Sequence, residues 1–198
     1  MNLKKNILSQ NIIKFLLLNS ILVVSSFADI KPVIQTGLDL ILMQKPSKTI
    51  EVNHGYVIEG GFEYTNETIK NFSTQFLVGY KKVSLTQILK NKKNVPIDVT
   101  SKFVSIIEKY NDDNMNYGLG VTYHISPEAD YTYNNHVTRE FDNAFGLLGQ
   151  IGYSFTENID FGIKATAIKY KIEVKRKNKI HKREYNTSSL NIFVSYKF

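Results

Sequence analysis

The 198-residue chain has no cysteine and no tryptophan, and only four prolines and eleven glycines. Without cysteine it can build neither a disulfide framework nor a thiolate metal site, and no thiol stands ready for a lipid anchor. The four histidines, His54, His124, His136 and His181, are scattered without metal-ligand spacing, so no metal and no cofactor is expected. Long hydrophobic runs are also missing. Beyond residue 28 nothing apolar reaches the ~20 residues of a spanning helix.

What is present begins with a short leader pattern. Lys4, Lys5 and Lys14 give a positive start, Phe15 to Val24 an apolar stretch interrupted by Asn19 and Ser20, and Ser26-Phe27-Ala28 a small-residue cleavage site. Residues 1–28 therefore read as a secretory signal peptide and 29–198 as one exported domain. An exported chain without spanning helices can still cross a membrane, but only as a closed barrel of strands.

The rest of the sequence is cut by turn-forming clusters into segments of alternating polarity. Candidate strands run over 32–43, 54–64, 71–83, 97–110, 115–125, 141–155, 159–174 and 186–198. In 115–125, Met115, Tyr117, Leu119, Val121, Tyr123 and Ile125 face one way while Asn116, Gly118, Gly120, Thr122 and His124 face the other. The last strand repeats the pattern, with Leu190, Ile192, Val194, Tyr196 and Phe198 on one side and Ser189, Asn191, Ser195 and Lys197 on the other. Segment 97–110 is the poorest, because its apolar residues fall on both parities. It suggests a bulge or a short helix. Short connections (65–70, 111–114, 156–158) alternate with longer ones (44–53, 84–96, 126–140, 175–185). Tyrosine and phenylalanine, twelve each, gather near the predicted strand ends, among them Tyr56, Tyr64, Phe72, Tyr80, Tyr110, Tyr117, Phe141 and Phe155. That is the placement of interfacial aromatic girdles.

Leader, strand number, loop rhythm and a terminal aromatic strand together resemble the small eight-stranded outer-membrane barrels of the OmpA/OmpX and opacity type. The resemblance implies an all-β, up-and-down, eight-stranded antiparallel transmembrane barrel in the outer membrane, surrounded by lipid and lipopolysaccharide. It also implies that Tyr196 and Phe198 form the signal read by the barrel-assembly machinery. Members of the group serve as anchors, adhesins, narrow pores and occasionally enzymes, so the fold does not choose the role.

Parity turns Gln35, Asp39, Glu59, Glu63, Gln75, Lys81, Gln150, Lys164, Asn191 and Lys197 into the lumen. Eight strands enclose just enough room for side chains. Both charge signs are present, so pairs such as Glu59 or Glu63 with Lys164 or Lys81 are expected rather than an open channel. A narrow solute pore is the alternative. His124-Ile125-Ser126 resembles the His-x-Ser element of outer-membrane lipid A deacylases, which makes His124 and Ser126 the catalytic candidates. The following Pro127-Glu128 departs from that pattern, and lumen-facing His124 would be turned away from a lipid substrate, so no enzyme is expected. Lys175, Arg176, Lys177, Lys179, Lys182 and Arg183 form a basic last outer loop. It suits lipopolysaccharide phosphates or an anionic host surface ligand. Nucleic acid is not an expected partner, since no recognition module surrounds the cluster.

Overall fold

The computed structural model describes residues 28–44, 50–51, 54–66, 69, 71–88, 94–133, 135–176 and 179–198. The leader reading falls outside the described residues except for Ala28, where the first strand begins.

The strands are β1 (Ala28–Gln44), β2 (Ile50–Glu51), β3 (His54–Asn66), β4 (Phe72–Ile88), β5 (Asn94–Asp112), β6 (Met115–Tyr133), β7 (Asn135–Glu140), β8 (Ala144–Ser154), β9 (Ile159–Arg176) and β10 (Lys179–Lys197). Every pairing is antiparallel, and β1 joins both β3 and β10, so the sheet closes on itself. Eight strands make the wall; β2 and β7 are short outward extensions that, among the described residues, pair with β4 and β6 respectively.

Alternation drives this closure. Outward, Ile34, Leu38, Ile58, Val78, Leu119, Leu147, Ile151, Ile163 and Ile192 are all exposed. Such a surface is untenable in water and suits hydrocarbon, while closure leaves no unpaired edge in the lipid. Aromatics bracket the belt. Phe72 and Tyr110, Phe155 and Phe161, and Tyr196 and Phe198 form ring pairs at the short-turn end, and Tyr56 and Tyr80 a pair at the other. Two expected girdle members do not belong there. Tyr64 and Phe141 are buried, the latter in an apolar cluster inside the barrel.

The connection at 113–114 is tight, and Asp113 takes a φ of 49° there. Asp tolerates that left-handed conformation better than most residues. At the opposite end strand runs into the stretches expected as long loops, of which 45–49, 52–53, 89–93, 134 and 177–178 lie outside the described residues. There β5, β6 and β10 reach 19 residues each. Crossing the hydrocarbon takes only ~9–11 residues, so these strands stand well clear of the belt.

The irregularity suspected in segment 97–110 lies on its neighbour. Thr100 pairs with Glu128 and Lys102 with Ile125, so β6 carries an extra residue opposite Ser101. Ser126 takes a φ of 42° there. The bulge reverses the parity of β6: Thr122 and His124 point inward below it, Pro127 and Ala129 above it. β5 itself is regular, with Val99, Ser101, Phe103, Ser105, Ile107 and Lys109 all buried. Its apolar residues fall on both parities because the lumen is itself partly apolar.

Candidate functional site: a layered lumen and a displayed outer end

Gly37, Gly61 and Gly162 let the wall draw in around the lumen; a Cβ at Gly61 would run into the Phe76 carbonyl oxygen. The freed space is filled by charged side chains arranged in layers. Nearest the short-turn end, Lys109 Nζ lies 3.0 Å from Glu63 and 3.5 Å from Asp160, and Lys197 lies 3.1 Å from Asp160. Ser73 and Gln75 donate to Glu63 at 2.9 and 2.7 Å. Further along, Lys164 Nζ donates to both Glu59 oxygens at 2.9 and 2.7 Å, and Gln35 adds a third hydrogen bond at 2.9 Å. Lys81 then bridges Asp39 and the Ser189 hydroxyl. Buried charges are tolerable when neutralised and hydrogen-bonded in this way.

Between the last two pairs lies a cavity of about 30 Å³ lined by Asp39, Glu59, Lys81, His124, Lys164 and Asn191, among others. That is enough room for water, which needs roughly 10–15 Å³ of such space and polar partners like these. Above it the lumen turns apolar. His124 stacks on Phe103 at 5.0 Å, and its Nδ1 lies 3.0 Å from the Ser101 hydroxyl and 2.8 Å from that of Tyr170. Val83, Val99, Ala129, Phe141, Ala144, Ile168, Tyr170 and Ile172 pack into one cluster at the outer end.

Nine of the ten side chains assigned to the lumen from sequence are buried, namely Gln35, Asp39, Glu59, Glu63, Gln75, Lys81, Gln150, Lys164 and Asn191, and the tenth, Lys197, is partly buried. The structure brings Glu59 to Lys164, but gives Lys81 to Asp39 and Glu63 to Lys109. Lys109, Asp160, Ser101 and Tyr170 were missed. A signal for Tyr170 was available: the inward parity of β9 changes from Asp160, Gly162 and Lys164 to Ile168, Tyr170 and Ile172.

The His124–Ser126 candidates are not brought together. His124 is buried in the lumen, whereas Ser126 is exposed at the bulge with its backbone N–H donating to Asn143. The extra residue at the bulge breaks the i, i+2 relationship that would have put both on one face. Tyr196 and Phe198 are exposed on the outward face, their rings 4.8 Å apart.

The basic cluster is not a loop. Lys175 and Arg176 end β9, Lys179, Lys182 and Arg183 belong to β10, and Arg176 pairs with Lys179. Their side chains, and Lys177 altogether, lie outside the described part of the structure. Above the last β8–β9 pair, Gly146 with Ile168, the wall divides. On one side β2, β4, β5, β6 and β7 form a sheet; on the other stand β9, β10 and the end of β1. The apolar cluster fills the space between them, with members from β4, β5, β6, β8 and β9.

No protein-family model and no curated protein matches the sequence. Solved structures do. Neisserial surface protein A aligns over 87% of this chain and 100% of its own at 15% identity, with a TM-score of 0.54. Ail, the attachment invasion locus protein of Yersinia pestis, solved with the heparin analogue sucrose octasulfate, aligns over 86% of this chain and 99% of its own at 9% identity, with a TM-score of 0.53. At such identities the likeness is one of fold. Together with the exposed apolar belt, the aromatic girdles and the polar lumen, it makes this chain an integral β-barrel of the outer membrane, with the fold of the small eight-stranded outer-membrane barrels.

Proposed function

We propose that the protein is a non-catalytic surface-interaction barrel. Its wall serves as an anchor, and its outer strands display basic groups to sulfated or phosphorylated sugars, whether in outer-leaflet lipopolysaccharide or on a host surface. The observation that carries this reading is the β9–β10 hairpin. It continues as strand past the belt and brings Lys175, Arg176, Lys179, Lys182 and Arg183 onto one two-stranded ribbon. Clustered charge of one sign raises the local concentration of an anionic ligand without needing a shaped pocket. Ail, with the same fold, was solved with a heparin analogue, which supports an anionic ligand for such a barrel. A conducting role is not favoured, because ion pairs and the apolar cluster fill the lumen. In the same reading, residues 1–28 are a leader lost on export, and the outward Tyr196–Phe198 pair is what the barrel-assembly machinery grips.

Heparin chromatography of the folded, lipid-embedded barrel tests the central point. We expect retention that needs added salt to reverse, and clearly earlier elution of a Lys175→Glu, Arg176→Glu, Lys182→Glu variant. Identical elution of the two proteins overturns the proposal.

A further inference from the structure

Glu108 turns outward from β5 into the belt. It is exposed, and it stands one outward position deeper into the membrane than Tyr110 of the short-turn girdle. Among the described residues it is the one carboxylate on the outward face between the two girdles; Asp39, Glu59, Glu63 and Asp160 all point into the lumen. Those four are matched by lysines. Glu108 is not. Its neighbours along the strand and across the ladder are Ile106, Tyr110, Thr74 and Leu119, no diagonal neighbour is basic, and no described lysine or arginine pairs with it.

An ionised side chain that faces lipid without a counterion is costly. What reaches a carboxylate just inside the girdle is a phospholipid headgroup, and charge complementarity selects a cationic one. The side chain is set to receive it. Thr74 Oγ1 donates to both Glu108 oxygens, at 3.1 and 2.9 Å, which holds the carboxylate against the wall and leaves lone pairs free. Toward the short turns the exposed Phe72 and Tyr110 rings pair at 5.2 Å and present aromatic surface to a cation held at the carboxylate. A primary ammonium suits this site better than a trimethylammonium, because it donates charge-assisted hydrogen bonds and the trimethylated group donates none. An anionic headgroup would be repelled.

We propose that Glu108, Thr74 and the Phe72–Tyr110 pair form a binding site for the primary ammonium headgroup of a phospholipid, in the leaflet at the short-turn end. The site lies at the opposite end from the β9–β10 ribbon. It gives the barrel a fixed lipid contact that the surface-interaction reading does not supply.

The test places the folded full chain in nanodiscs holding equal amounts of ethanolamine and choline phospholipid. Native mass spectrometry then counts the lipid that stays bound. We expect ethanolamine lipid to be enriched roughly threefold or more over choline lipid. Glu108→Gln, which keeps the shape of the side chain and removes its charge, should abolish that preference. Glu140→Gln removes an exposed carboxylate from β7 at the other end of the barrel and should leave the preference unchanged. No enrichment on the parent barrel, enrichment that survives Glu108→Gln, or enrichment lost equally with Glu140→Gln each overturns the inference.

Discussion

Lys109 and Glu63 meet across the lumen at 3.0 Å, although 46 residues separate them in the chain. Both are almost completely buried, and Asp160 and Lys197 complete a four-charge layer around them. Removing one partner of such a pair leaves a charge without its counterion in a dry setting, at a cost of roughly 3–5 kcal/mol. Lys109→Met should lower unfolding stability in guanidinium by about that much. The double variant Lys109→Met, Glu63→Gln should recover most of the loss, and a double variant as unstable as the single one would contradict the pairing.

At mid-wall, Leu119 is 76% exposed, facing outward. If that face meets hydrocarbon, Leu119→Arg costs ~2–4 kcal/mol. Glu157→Arg, at an exposed position in the short turn between β8 and β9, should be nearly neutral. Equal effects at the two positions would argue against the assigned belt.

Gly61 sits under the Phe76 carbonyl, so any side chain there must push two strands apart. Gly61→Ala is expected to cost about 1–3 kcal/mol by overpacking, read as a lowered midpoint of unfolding. Gly149, where an added Cβ meets only ordinary contacts, the nearest at 3.6 Å, should accept the same change with little loss.

Ser126 holds a φ of 42°. A non-glycine residue in that region costs on the order of 1–2 kcal/mol, so Ser126→Gly should stabilise the barrel slightly and Ser126→Val destabilise it. A bulge that merely tolerates any residue would give the same stability for all three.

In a planar bilayer the inserted, folded chain should show no stable unitary steps, since the outer lumen is closed by packed apolar side chains. Reproducible conductance from protein shown to be folded would revive the pore.

The barrel was legible because its physics is repetitive. Strand period, turn residues and the outward apolar face of β6, β8 and β10 each point to the same closed sheet. The lumen residues followed from parity, as with Glu59 and Lys164. Partners did not, because register depends on the whole closed sheet and cannot be read from one strand. Three further features escaped for separate reasons. The outer strand extensions carry too many polar residues to look like strands. Lys109 was hidden in a segment whose inward face mixes Phe103 and Ile107 with charge. Ser126 changed sides through a single extra residue that leaves no mark in composition.

The extra residue in β6 amounts to a change of phase within one strand. Below it the odd positions meet lipid; above it they meet the interior. The two ends of the molecule thus keep separate alternation rules. Substitutions that remodel what is shown to the surroundings need not disturb how the barrel enters the membrane. A lineage under pressure to vary its surface could rewrite the sequence above Ser126 while leaving the lipid-facing half unaltered.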